Sequence, residues 1–228
     1  MSNESVLESL YPFLHGREQD ADKLAAALLH SVAEKAADSR DANTRFFAAQ
    51  AEALVAAARA IAQIYRGGGR LFTMGNGGSS CDASHVAVEF QHPVTAGRPA
   101  LTAIDLSADR TMLTAVGNDV GFEHIFVRQV IAQGRAGDGL IGLSTSGNSK
   151  NLVKAFIKAK EMGLTTIGLA GMSGGAMATI GLDHCLVVEA DSIHRIQECH
   201  VTIYHILWDL VHSLLADDRG SLSFAARE

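Results

Sequence analysis

From residue 70 onward the sequence alternates short apolar runs with longer segments of helical period. That alternation restricts the fold more than any other feature of the chain. The runs at 70–74, 101–106, 138–143, 165–170 and 185–189 have strand length. Between and after them, 80–91, 109–116, 122–133, 152–162 and 194–215 carry helical spacing. Strands separated by helices cannot pair as hairpins. The expected fold is therefore α/β: a five-stranded, parallel, doubly wound sheet of flavodoxin-like type, with helices on both faces. Ligands of such sheets bind outside the carboxyl ends of the strands.

The chain before residue 67 reads as helical. Val6, Leu7, Leu10, Phe13 and Leu14 suggest a short helix interrupted by Pro12. Leu24, Leu28, Val32 and Ala36 form a stripe over 20–38. Asp41-Ala42-Asn43 reads as the cap of a further helix, which runs through Phe46, Phe47, Leu54, Ala58, Ile61 and Ile64 to Gly67-Gly68-Gly69. These stripes need covering, by the α/β unit or by a second subunit in a helical bundle. The expected organisation is a helical packing and oligomerisation region at 1–66, the α/β domain at 67–216 and a polar tail at 217–228. A net charge of −6 argues against non-specific nucleic-acid binding. No apolar run reaches membrane-spanning length, and the N-terminus has no signal-like core. Cys81, Cys185 and Cys199 form no spaced pair, which implies free thiols and a cytoplasmic location.

Two strand ends carry unusual turns. The first is Gly75-Asn76-Gly77-Gly78-Ser79, opening a helix. It has neither the spacing of the dinucleotide fingerprint nor the Gly-Lys-Ser/Thr of the nucleoside-triphosphate loop. The second, Ser144-Thr145-Ser146-Gly147-Asn148-Ser149, gathers four hydroxyls at another strand-to-helix junction. Hydroxyls and backbone N–H groups at a helix start suit a phosphate dianion without a lysine. Either turn alone is compatible with ordinary capping. Two on neighbouring strand ends point to a sugar-phosphate site. His85 and Glu89, four apart, place an imidazole and a carboxylate on one helical face; Gln197 and His205 share a side of the last helix.

The two turns together with Arg195-Ile196-Gln197-Glu198 resemble the sugar isomerase (SIS) fold. Within it the chain is similar to the phosphoheptose isomerases, which interconvert sedoheptulose 7-phosphate and a heptose 7-phosphate. The resemblance covers roughly residues 45–215. It implies an aldose–ketose isomerisation through an enediol(ate), with Glu89 as base and His205 as acid partner. It implies substrate contacts by Asn76, Gly77, Gly78, Ser79, Asp119, Ser144, Thr145, Ser146, Ser149 and Gln197. It also implies one divalent metal per subunit, usually zinc, held by His85, Glu89, Gln197 and His205, and a homotetramer with active sites at subunit contacts. No nucleic-acid or membrane partner is implied.

One departure stands out. After the glutamate the family commonly runs Leu-Thr-Gly-Arg, and that arginine reaches the substrate. Here the run is Phe90-Gln91-His92-Pro93. Arg98, or less readily His92, is the residue available to compensate. Two alternatives to the isomerase follow: an enzyme for a different ketose phosphate, or a non-catalytic SIS protein that binds a phosphosugar or a partner. Relatives of the second kind lack the His–Glu pair that this chain keeps at His85 and Glu89.

Overall fold

The structure, a computed structural model, describes residues 21–217; the segments read at 4–14 and beyond 217 lie outside the described residues. The chain divides into two compact units, Met1–Arg40 and Asp41–Glu228. In the first, the described residues are helical, and Leu24, Leu28, Leu29 and Val32 are exposed. The second holds the α/β fold.

The first helix, α1, spans Ala21–Arg66. The sequence reading had a break and a fresh cap at Asp41-Ala42-Asn43; the helix runs through them. No glycine or proline falls between residues 21 and 66, so nothing there forces a stop. The irregularity falls instead at Gln50 (φ −124°, ψ 16°). Its side-chain amide donates to the carbonyl oxygen of Val187 (2.7 Å) and accepts from the N–H of Val187 (3.2 Å). Val187 lies on an edge strand, and this side chain satisfies backbone groups that the sheet leaves unpaired.

After α1 the order is β1 (Leu71–Gly75), α2 (Gly78–Gln91), β2 (Ala103–Asp105), α3 (Arg110–Asp119), a 3₁₀ turn (Phe122–His124), α4 (Ile125–Gln133), β3 (Gly139–Ser144), α5 (Lys150–Glu161), β4 (Thr165–Gly171), a second 3₁₀ turn (Gly175–Ala178), β5 (His184–Val188) and α6 (Ile193–Asp217). The segment 122–133, read as one helix, therefore opens as a 3₁₀ turn. Strands β1 and β3 run one residue further than the sequence suggested, taking in Gly75 and Ser144. The sheet is parallel throughout, in the order β2-β1-β3-β4-β5.

Alternation along the strands builds two cores. Leu71, Ile141, Leu143, Ile167 and Leu169 pack with α2, α6 and the part of α1 from Phe46 onward. Phe72, Met74, Leu140 and Ala170 face the other way, toward α3, α4 and α5. Both faces are covered, as a parallel sheet requires.

The strand order reverses between β1 and β3, where Gly75 pairs with Leu143. The two sequence turns leave the sheet side by side at this switch point, and a reciprocal amide pair joins them. Asn76 Nδ2 donates to Asn151 Oδ1 (3.0 Å), and Asn151 Nδ2 donates to Asn76 Oδ1 (2.9 Å). Asn151 is buried at the start of α5. Behind the second turn, Ala176 N–H donates to Asn148 Oδ1 (2.9 Å) and Met177 N–H to the Gly147 carbonyl (3.0 Å). Gly147 has φ +65°, and a Cβ there would lie 2.0 Å from the Gly174 carbonyl oxygen. Gly147→Ala is therefore expected to cost about 1–3 kcal/mol. In a chain of this length that lowers the thermal midpoint by roughly 2–4 °C per kcal/mol. Gly68→Ala, at φ +76° with nothing within 4 Å, meets only backbone strain and is expected to lose less. Equal losses in a thermal melt would contradict the close-approach argument.

Candidate active site

Helices α2 and α6 meet along a ladder of polar contacts that ascends both helices in the same direction. Gln197 Nε2 donates to Asp82 Oδ2 (3.0 Å). One turn on, the Tyr204 hydroxyl lies 2.8 Å from Nδ1 of His85. At the top, the Trp208 indole N–H donates to the Glu89 carbonyl oxygen (2.8 Å). The apolar residues Ala83, Val86, Ala87 and Phe90 of α2 are buried between these rungs, while Val88, on the outer side, is half exposed. Helix periodicity thus puts the core stripe and the polar stripe on adjacent faces of one short helix.

The contacts converge on His85, Glu89 and His205. One ligand atom from each of these three residues lies within 4.8 Å of the other two, a group able to hold a metal ion. His85 Nε2 is 3.1 Å from Glu89 Oε1, and the His85 and His205 rings are 5.0 Å apart, nearly perpendicular. The donor set suits a divalent ion of zinc type: two imidazoles and a carboxylate, with one imidazole held at its far nitrogen by a hydroxyl. Burial and the negative fields of Asp82 and Glu89 raise the Tyr204 phenol above its ordinary range, so it meets His85 as a neutral hydroxyl. Burial also raises the Asp82 carboxyl, opposed by its hydrogen bond from Gln197 and by the charge of His85.

Gln197 reaches this region through the first turn. A Cβ at Gly78 would lie 2.5 Å from Gln197 Nε2, so a side chain there would displace the Gln197 amide from its present position. With its amide nitrogen given to Asp82, Gln197 keeps its carbonyl oxygen for other partners. In the same turn, Gly77 precedes α2 with no side-chain cap, and Ser79 is buried, its N–H donating to the Asn76 carbonyl. Asn76 is engaged with Asn151. In the second turn, the Ser144 and Ser149 hydroxyls lie 3.0 Å apart, and Ser146 Oγ accepts from the Asn148 N–H (3.2 Å). Thr145 follows Ser144 in that loop. Helix α5 also starts without a side-chain cap, its N-terminal dipole lying at the carboxyl end of the sheet.

Other candidates lie elsewhere. Asp119 ends α3, exposed, and accepts a hydrogen bond from Asn118 (2.8 Å). Arg98 is engaged within the chain: its guanidinium sits 4.3 Å over the Trp208 ring and pairs with Asp209. His92 is the C-cap of α2. All three cysteines are free. Cys199 is buried, and its thiol is pushed up to about 11 by burial. Cys81 is exposed on the first turn of α2. His200 is buried, pushed down to about 4 by that burial, and Nε2 lies 3.1 Å from the Ala170 carbonyl oxygen.

Sequence reasoning missed Asp82, Asn151, Tyr204 and Trp208. Each acts by holding a residue that reasoning had named. Only Asp82, three residues before His85 and on its face, offered a signal in spacing.

The chain is similar to known proteins in both sequence and fold. The SIS domain model matches residues 36–171. The phosphoheptose isomerase of Sulfurimonas denitrificans is 46% identical over 155 residues, 68% of this chain and 79% of the relative. Among solved structures, the phosphoheptose isomerase of Neisseria gonorrhoeae superposes with a TM-score of 0.77 at 39% identity, covering 82% of this chain and 99% of that one. That of Francisella tularensis gives 0.78 at 35% identity, covering 81% and 98%. Sequence and fold together place the chain in the SIS domain family, among the phosphoheptose isomerases.

Proposed function

We propose that the chain is an aldose–ketose isomerase interconverting sedoheptulose 7-phosphate and D-glycero-D-manno-heptose 7-phosphate through an enediol(ate). The observation that carries this reading is the convergence of His85, Glu89 and His205 where α2 meets α6, in a chain 46% identical to a phosphoheptose isomerase. The reaction moves a proton between C1 and C2 and a second proton between the two oxygens. Glu89 takes the carbon-bound proton and returns it to the neighbouring carbon; His205 serves the oxygens. His85, held through Tyr204, keeps the imidazole–carboxylate pair in register. Residues Ser144, Thr145, Ser146 and Ser149 bind the phosphate with the N-terminus of α5. Asn76, Gly77, Gly78 and Ser79 wall the sugar, and Gln197 contributes a further contact. His85, Glu89, His205 and the Gln197 oxygen would hold one zinc ion, which when bound supplies a Lewis acid for the substrate oxygens.

The proposal extends to assembly and location. The exposed Leu24, Leu28, Leu29 and Val32 form an apolar helical face suited to burial between copies in a homotetramer. Among the described residues no helix is long and apolar enough to cross a membrane, which is compatible with a cytoplasmic enzyme.

Deuterium incorporation from heavy water at C1 of sedoheptulose 7-phosphate and at C2 of the heptose 7-phosphate, followed by NMR, tests the reaction directly. No exchange, with or without added Zn²⁺, would sink it. Glu89→Gln is expected to lower kcat by about 10²–10⁴-fold while calorimetry still detects sugar-phosphate binding; unchanged turnover would remove Glu89 as the base. Chelation followed by dialysis is expected to reduce activity, and stoichiometric Zn²⁺ to restore it. Light scattering should give close to four times the 24.1 kDa chain mass, and a monomeric mass would refute the tetramer.

A further inference from the structure

The C-terminal turn of α2 carries Glu89 and ends abruptly. In a continuing helix the Glu89 carbonyl would accept the N–H four residues on, but residue 93 is proline, which has none. Proline also turns the preceding residue from the helical region, and His92 has φ −134° and ψ 67°. The carbonyls around Glu89 find backbone donors: Val88 accepts from His92 N–H (2.8 Å), and Phe90 from Leu101 N–H (2.8 Å). The Glu89 carbonyl accepts from a side chain on another helix, the Trp208 indole N–H at 2.8 Å. That indole is held in turn. The Arg98 guanidinium lies 4.3 Å over its ring and is pinned by the ion pair to Asp209, the next residue of α6. The His212 ring contacts the indole edge-on at 5.2 Å.

We propose that Trp208 is a positioning residue for Glu89, its indole N–H replacing the backbone donor that Pro93 removes, with Arg98 holding the indole in place. Trp208 touches no reacting atom. It fixes the last turn of α2 and hence the direction of the Glu89 carboxylate toward His85 and His205. The arginine that the resemblance to the family led one to expect at residue 93 is thus exchanged for a proline, and Arg98 is engaged in supporting the repair. The catalytic part of this inference rests on the proposed role of Glu89.

The test compares Trp208→Phe, Pro93→Ala and the double variant, each in the full chain. Phenylalanine keeps an aromatic ring and removes the donor; alanine at 93 returns a backbone N–H. Two readouts are taken: Zn²⁺ affinity by chelator competition, and kcat and KM. Trp208→Phe is expected to weaken Zn²⁺ binding by about tenfold. It should lower kcat by a similar factor, about that of one buried hydrogen bond, with KM within about twofold. The double variant is expected to recover most of both losses, which a general destabilisation would not do. Zn²⁺ affinity of Trp208→Phe equal to wild type, or a double variant no better than the single, would overturn the proposal. Trp208 is the sole tryptophan, so the unmutated protein gives a further check. Saturating Zn²⁺ is expected to shift its fluorescence, and an unchanged spectrum with the ion bound would also overturn the coupling. Failure of the unmutated protein to isomerise would defeat the proposed function instead, leaving the Zn²⁺ comparison to decide the role of Trp208.

Discussion

The site depends on the packing of α6 against α2. One short helix carries His85 and Glu89, and the other carries Gln197 and His205; neither set has a geometry of its own until the helices meet. The contact is fixed by apolar burial between Ala83, Val86, Ala87 and Phe90 on one side and Ile196, Ile203, Tyr204 and Leu207 on the other. Burial is non-directional and leaves rotation and sliding free. Direction comes from the three polar rungs, Gln197 to Asp82, Tyr204 to His85 and Trp208 to the Glu89 carbonyl. Hydrogen bonds in partly desolvated surroundings tolerate little displacement, and each rung ends on or beside a site residue.

A second constraint operates across the sheet. The switch point between β1 and β3 opens a crevice that any parallel doubly wound fold provides. What makes it specific here is the Asn76–Asn151 pair, with the turn after β4 packed behind Gly147. The glycine-rich turn and the hydroxyl-rich turn are thereby built as one unit. The α2–α6 ladder stands on one side of the sheet, and the hydroxyl-rich turn leads into α5 on the other.

The parts legible in the sequence were those with a local cause. Apolar runs placed every strand of the sheet, because a parallel sheet covered on both faces is buried along each strand and leaves a short continuous apolar run between helical segments. The glycine and serine turns were legible because close backbone approach and hydroxyl clustering need particular residues. His85 and Glu89 were legible as a pair because four residues separate them on a helix. Errors arose where a local signal had a non-local competitor. Asp41-Ala42-Asn43 is a good cap in isolation but does not end α1; the break is at Gln50, whose side chain is drawn to the edge of β5. Arg98 looked free to replace a missing arginine, and Trp208 and Asp209, more than a hundred residues later in the chain, occupy it.

By itself, then, the sequence determined the α/β alternation, the two turns and the His85–Glu89 pair, which follow from backbone geometry and side-chain chemistry within a few residues of each other; Gln197 and His205 were added to that pair only by the resemblance to the family. Only the tertiary structure decided that His205 joins His85 and Glu89, that Asn151 locks Asn76, and that Trp208 supplies the donor Pro93 lacks. Each of those joins residues far apart in the chain, and such contacts exist only once apolar burial has brought the elements together. Pro93 shows the division in a single residue: its missing N–H is written in the sequence, and its replacement comes from another helix.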